Sequence, residues 1–172
     1  MKNTGKKKVI IVTGTPGTGK TETAKKISKI FDFIYVDVNK VIKNNKLSEG
    51  IDKKRKTNII DTNKLAKALI NLIQKSEESL VIDSHLSHFV PNKYVDLCIV
   101  TKCDLNVLEK RLKKRSYGKG KVRENLDAEI FDICYNEAKE KGHKILVIDT
   151  SKRIPRKFLN PESSSSSFSI IQ

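Results

Sequence analysis

The stretch Gly14-Thr15-Pro16-Gly17-Thr18-Gly19-Lys20-Thr21 constrains this chain more than any other. An apolar run, Val9-Ile10-Ile11-Val12, leads into it, and Ala24, Ile27, Ile30 and Phe31 follow at helical spacing, so the order reads strand, glycine loop, helix. In that setting the pattern G-x-x-x-x-G-K-[ST] has a physical purpose. Glycines let successive backbone N–H groups turn inward around a polyphosphate at a helix N-terminus. The whole segment from Gly14 to Thr21 is therefore expected to cradle phosphates, with Lys20 reaching the outer phosphates as a point charge and the Thr21 hydroxyl ligating Mg²⁺. A flexible glycine turn is the plain alternative, and the flanking strand and helix count against it.

At 172 residues the chain is long enough for one α/β domain and too short for two of ordinary size. No apolar run reaches 18 residues, and the basic start MKNTGKKK lacks the apolar segment of a signal peptide, so a soluble, cytoplasmic protein without a membrane segment is expected. Cys98, Cys103 and Cys134 show no C-x-x-C spacing and are read as free thiols without chemistry. A net charge of +15 invites a nucleic-acid reading through counterion release. However, 29 of the 35 basic residues are Lys and only 6 are Arg, whereas base-edge recognition favours Arg. The same bias would follow from AT-rich codons.

Along the chain, Phe33 to Asp37 reads as a second strand and Val38 to Leu47 as a short helix or loop. Asp61 caps a helix that carries Leu65, Leu69, Leu72 and Ile73 to about Lys75. Ser79 to Asp83 and Leu97 to Thr101 are strands, Asp104 caps a helix with Leu105, Leu108 and Leu112, and Lys144 to Asp149 closes the series. A glycine-containing basic loop from Ser116 to Arg123 precedes a helix from about Glu124 to Lys141. This alternation predicts five parallel strands joined by right-handed crossovers.

Two constellations narrow the chemistry. Asp83 ends an apolar strand where a carboxylate would hold Mg²⁺ or its waters, and His85 follows two positions later. His88 and His143 read as surface residues. Thr101-Lys102-Cys103-Asp104 resembles the box by which GTPases recognise guanine, yet no aspartate has a glycine three residues later, so a GTPase switch is missing and Asp104 reads as a cap. From Lys110 to Arg123 there are eight Lys or Arg and no acid. Cations on a closing lid can stabilise a transferring phosphoryl group, and Arg115 and Arg123 bracket the glycine loop.

The segments VTGTPGTGKT, IDSH, TKCDLNVLEKRLKKRSY and KVRENLDAEIFDICYNEA, in this order, resemble the adenylate kinase isoenzyme 6 family and its archaeal relatives over about Lys8 to Ser151. The resemblance implies an α/β P-loop NTPase fold of the nucleoside monophosphate kinase type, with a five-stranded parallel sheet flanked by helices and a short lid. It also implies Mg²⁺-dependent transfer from ATP to AMP giving two ADP, ATPase activity, and a role in maturation of the small ribosomal subunit. That role would involve a platform ribosomal protein and pre-rRNA, and nuclear as well as cytoplasmic location in a eukaryotic host. Carried over residue by residue, the phosphate loop is Gly14 to Thr21, the D-x-H pair is Asp83 and His85, and the lid arginine is Arg115. Asp37, Asn39 and Arg55 are the looser matches on the AMP side.

These readings give a monomeric kinase domain over residues 1–154, with an AMP-side insertion at about 38–75 and a lid at about 115–123, followed by a serine-rich tail over residues 155–172 expected to be disordered. Two other readings stay open. One is an assembly ATPase in which nucleotide synthesis is incidental, and the other a P-loop kinase for a different small acceptor. Two departures from the family stand out. Ser116 occupies the place where the family usually has glycine, which predicts a stiffer lid hinge, and the tail replaces an expected terminal helix.

Overall fold

The computed structural model describes residues 6–54 and 57–152; the expectations for Arg55 and for the tail lie outside these residues. Apolar runs too continuous for a half-exposed strand must be covered on both faces, and strand β1, Val9–Thr13, is buried along its whole length. It forms the centre of a five-stranded parallel sheet with β2 (Ile34–Asp37), β5 (Leu80–Asp83), β6 (Leu97–Lys102) and β7 (Ile145–Asp149), in the order β2-β5-β1-β6-β7. Successive side chains alternate between the two faces. Val9 and Ile11 pack beneath helices α2 (Val38–Asn44) and α3 (Thr62–Lys75), together with Leu65, Leu69 and Ile82. Ile10 and Val12 pack with Ala24 and Ile27 of α1, Lys20–Phe31, and with Ile99 and Ile148.

The register decides where the chemistry can sit. Val12 and Asp37 both lie opposite Asp83, so the carboxyl ends of β1, β2 and β5 come level with one another. The chain leaves β1 toward α1 while its neighbours β5 and β6 lie on opposite sides, which opens a crevice at those ends.

Both predicted caps form. The Asp61 carboxylate accepts from the Asn63 and Lys64 amides, and Asp104 does the same for Asn106 and Val107 at the start of α4, Leu105–Lys114. Asp104 therefore serves its helix, as expected once a guanine site is set aside.

Four expectations need correction. The insertion carries an antiparallel hairpin, β3 (Ser48–Asp52) with β4 (Thr57–Ile60), that pattern reading did not find. It lies off the main sheet and leaves Ile51 and Ile59 exposed, so it lacks the buried alternation that reveals strands. The helix expected over 124–141 is two helices, α5 (Lys119–Ile130) and α6 (Ile133–Glu140). Asp132 takes a left-handed φ of 52° between them, a conformation that aspartate tolerates better than most residues. Its carboxylate pairs with Lys102, and Glu129 accepts from the Cys103 amide, so tertiary contacts place the break where the helical period runs on. Because α5 starts at Lys119, the non-helical part of the lid is much shorter than the loop read from Ser116 to Arg123.

His88 and His143 are also not surface residues; they are 1% and 8% exposed. The turn after β5 folds His88 beneath β1, where Nδ1 meets the Thr13 hydroxyl at 2.8 Å and Nε2 meets Glu137 at 2.8 Å. His143 reaches the His88 carbonyl at 2.9 Å. Burial lowers the pKa of both rings, so they stay neutral at pH 7.

Ser116 has φ 56°, a left-handed conformation that costs a residue with Cβ about 1 kcal/mol or more relative to glycine. Replacing Ser116 with Gly should therefore raise the melting temperature by about 2–4 °C, after allowing for the added freedom of the unfolded chain. Thermal denaturation followed by circular dichroism checks the sign.

Candidate active site

The phosphate-loop residues stand at the carboxyl end of β1. Gly14 has φ 140°, and a Cβ there would lie 2.5 Å from the Thr101 carbonyl oxygen, so no side chain fits. Gly19, at φ 83°, caps α1 without a side-chain bond, which leaves the helix N-terminus open toward the crevice. Behind the loop, the Thr18 hydroxyl donates to the Thr15 carbonyl at 2.7 Å and contacts the Thr101 hydroxyl at 2.7 Å. The loop is thus held from behind, while its front faces a cleft of about 990 Å³.

Lys20 lies over this loop and donates to the Thr15 carbonyl at 3.0 Å. Burial lowers its pKa to about 8, an effect that the neighbouring Asp83 carboxylate only partly offsets. Burial in turn pushes the Cys134 thiol up to about 11, so that neighbour is uncharged at neutral pH and carries no nucleophile.

Thr21 and Asp83, the two residues expected to serve the metal, are in contact: the Thr21 hydroxyl donates to Asp83 Oδ2 at 2.6 Å. Asp83 is 5% exposed, and its other oxygen, Oδ1, is buried without a hydrogen-bond partner. Tyr35, unmarked in the sequence reading, also donates to Oδ2, at 2.9 Å. Burial and this bond raise the Tyr35 pKa, so its hydroxyl is a proton donor at any ordinary pH.

A hydroxyl beside a carboxylate with a free oxygen is the donor set of a hard divalent cation that keeps several waters and substrate oxygens. Among the described residues no cluster of three or more His, Cys, Asp or Glu could hold a metal by itself. Thr21 and Asp83 could hold such a cation only together with a ligand that supplies further oxygens.

The remaining predicted residues divide. His85 and Arg115 line the cleft, as does Asn39, together with Thr57 from the hairpin. The cleft walls strip water from His85 and Lys20 repels a second positive charge, which lowers its pKa and keeps the ring neutral at pH 7. Asp37 instead caps α2, accepting from the Asn39 amide at 2.9 Å, and so positions Asn39 without itself lining the cleft. Arg123 pairs with Asp127 on the exposed face of α5, whereas Lys121 lines the cleft and lies 4.2 Å from the centre of the Tyr117 ring.

Arg111 escaped the sequence reading because it sits inside a basic run with no local mark of its own. Its guanidinium donates to the Thr150 hydroxyl at 3.1 Å and the Thr150 carbonyl at 2.8 Å. It lines both the main cleft and an adjoining hollow of about 340 Å³ beside Gly19, Glu22, Ser151 and Lys152.

A family model described as an AAA domain matches residues 10–132. The adenylate kinase isoenzyme 6 homolog of Saccharomyces cerevisiae is 36% identical over 81% of this chain and 71% of its own length. The homolog of Dictyostelium discoideum is 32% identical over 81% and 79%. The chain belongs to the adenylate kinase isoenzyme 6 family. Its fold is that of P-loop kinases. A shikimate kinase from Acinetobacter baumannii superposes with TM-score 0.60 at 13% identity, over 89% of each chain. A sugar kinase from a Janibacter species gives 0.56 at 15% identity, over 90% of each. In this member of the isoenzyme 6 family, Lys20, Thr21, Asp83, His85 and Arg115 all line one cleft.

The Lys20 pKa has a measurable consequence. A bound polyphosphate favours the ammonium form and raises the pKa in the complex, so binding near and above pH 8 must take up a proton. ATP affinity should fall as pH rises from 7 to 9, and titration calorimetry in two buffers of different ionisation enthalpy should detect proton uptake at pH 8.5 and little at pH 6.5.

Proposed function

We propose that the protein transfers the γ-phosphoryl group of ATP to AMP. The observation that carries this reading is one cleft whose lining joins the phosphate loop and the Thr21–Asp83 pair with Asn39, Thr57 and Arg115. The bond from the γ-phosphorus to the β,γ-bridging oxygen breaks, a bond to an AMP phosphate oxygen forms, and two ADP leave. The acceptor phosphate is already ionised at neutral pH, so no general base is required, which suits a neutral His85 acting by position.

When bound, Mg²⁺ would neutralise charge on the β- and γ-phosphates and fix their geometry. Lys20 and the amides of Gly14 to Thr21 hold the donor phosphates, and Arg115 meets charge on the transferring group. Arg111 and the hollow beside Gly19 take the donor base. Asn39, which Asp37 supports through its cap, and Thr57 face the acceptor. In domain terms, residues 38–75 form the acceptor side and residues 115–123 the lid on one catalytic unit.

The net charge of +15 favours a second reading, an ATPase whose hydrolysis switches affinity for a ribosomal protein or pre-rRNA. In that case water takes the place of AMP at the same phosphate site.

A panel of nucleoside monophosphates with Mg-ATP separates the two. ADP formation stimulated by AMP over a no-acceptor control supports transfer, whereas equal release without acceptor supports the ATPase. Lys20→Ala should lower either turnover by roughly 100-fold or more, as deletion of one transition-state donor does. Near wild-type turnover in a folded Lys20→Ala protein would refute the phosphate-loop assignment. Asp83→Ala should also raise the Mg²⁺ requirement, while His85→Ala should slow turnover with the requirement unchanged; steady-state rates across a Mg²⁺ titration distinguish them.

A further inference from the structure

We propose that Tyr35 is a positioning residue that holds the Asp83 carboxylate in one orientation, with one oxygen occupied and the other left for the metal, an inference that rests on the phosphoryl-transfer reading above. An isolated carboxylate rotates broadly about its last bond, so the direction of its lone pairs is not fixed. At Asp83 that rotation is restrained. Thr21 donates to Oδ2 at 2.6 Å and Tyr35 donates to the same Oδ2 at 2.9 Å, while Oδ1 is buried and has no hydrogen-bond partner.

The two donors come from different directions. Thr21 opens α1, whereas Tyr35 stands on β2, the strand paired with β5 in a register that sets Tyr35 opposite Val81 and Asp37 opposite Asp83. With hydroxyls from a helix and a neighbouring strand on one oxygen, rotation of the carboxylate would break two charge-assisted bonds at once. The free oxygen is then the one held toward a cation or its water.

The Tyr35 ring is itself constrained. It packs partly against the core beneath α1, and the Lys25 ammonium lies 5.6 Å from its centroid. Thr21 must offer a lone pair to the metal while its proton remains with Asp83. Tyr35 has no such second duty, so it keeps Oδ2 occupied whether or not a cation is present.

This role differs from that of a buried phenol that merely satisfies its hydrogen bond. A purely structural contact would change melting temperature and leave metal affinity alone. Tyr35→Phe keeps the ring and removes the donor. We expect Mn²⁺ affinity of the complex with a non-hydrolysable ATP analogue, read by electron paramagnetic resonance, to fall by about tenfold or more, the scale of one hydrogen bond to a charged group. Binding of the analogue in chelator should be unchanged.

In an Asp83→Asn background, Tyr35→Phe should cause no further loss, because its effect passes through the carboxylate. Unchanged Mn²⁺ affinity in Tyr35→Phe, or an equal loss in the Asp83→Asn background, would overturn the inference while leaving phosphoryl transfer intact. If the wild-type protein binds the analogue equally well with and without Mn²⁺, the underlying reading of the metal site fails as well.

Discussion

A loop that offers its N–H groups to an anion must dispose of its carbonyl groups elsewhere, because buried backbone oxygens need donors. In this protein threonine hydroxyls supply them. Thr18 donates to the Thr15 carbonyl and Thr150 to the Thr18 carbonyl, the Thr101 hydroxyl sits between the Thr18 hydroxyl and the Thr13 carbonyl, and all three side chains are buried. Thr101 comes from β6 and Thr150 from the end of β7, so the sheet holds the loop from behind. Lys20, Thr21 and the helix N-terminus can face the cleft because that support is in place.

The same logic connects the site to its walls. Asp83 is nearly inaccessible, yet its charge is met by hydroxyls from α1 and β2. Burial lowers the Lys20 pKa to about 8, so the ammonium form still dominates at neutral pH but with little margin, and a bound polyphosphate stabilises it further. Such a site is matched to its ligand more closely than to water.

What could be read from the sequence followed from physical locality. The strand, glycine loop and helix are contiguous, and their residue types have few other uses, so Gly14 to Thr21 stood out. Asp83 stood out because it ends an apolar strand, and Asp61 and Asp104 because caps are local. Tyr35, Arg111 and His88 did not, since each acquires meaning through partners 48, 39 and 75 residues away. The break at Asp132 was hidden for a related reason: the helical period runs across it, and Lys102, far back in sequence, anchors it. The hairpin of β3 and β4 escaped because it buries too little on either face to impose alternation.

Gly17 has a consequence of its own. A Cβ at this position would lie 2.8 Å from the Leu108 side chain and 3.0 Å from that of Leu112, so α4 rests on the phosphate loop itself. Leu108 and Leu112 also form, with Val122 of α5, a small core separate from the two that cover the sheet. The helix pair that carries the basic lid therefore presses on the loop that receives the phosphates. Thermodynamic linkage makes such a contact reciprocal. Whatever free energy the bound phosphates contribute to one position of the helix pair, that position returns to phosphate binding in equal measure. Residues of the α4–α5 core, none of which need touch a nucleotide, thus belong to the affinity of the site.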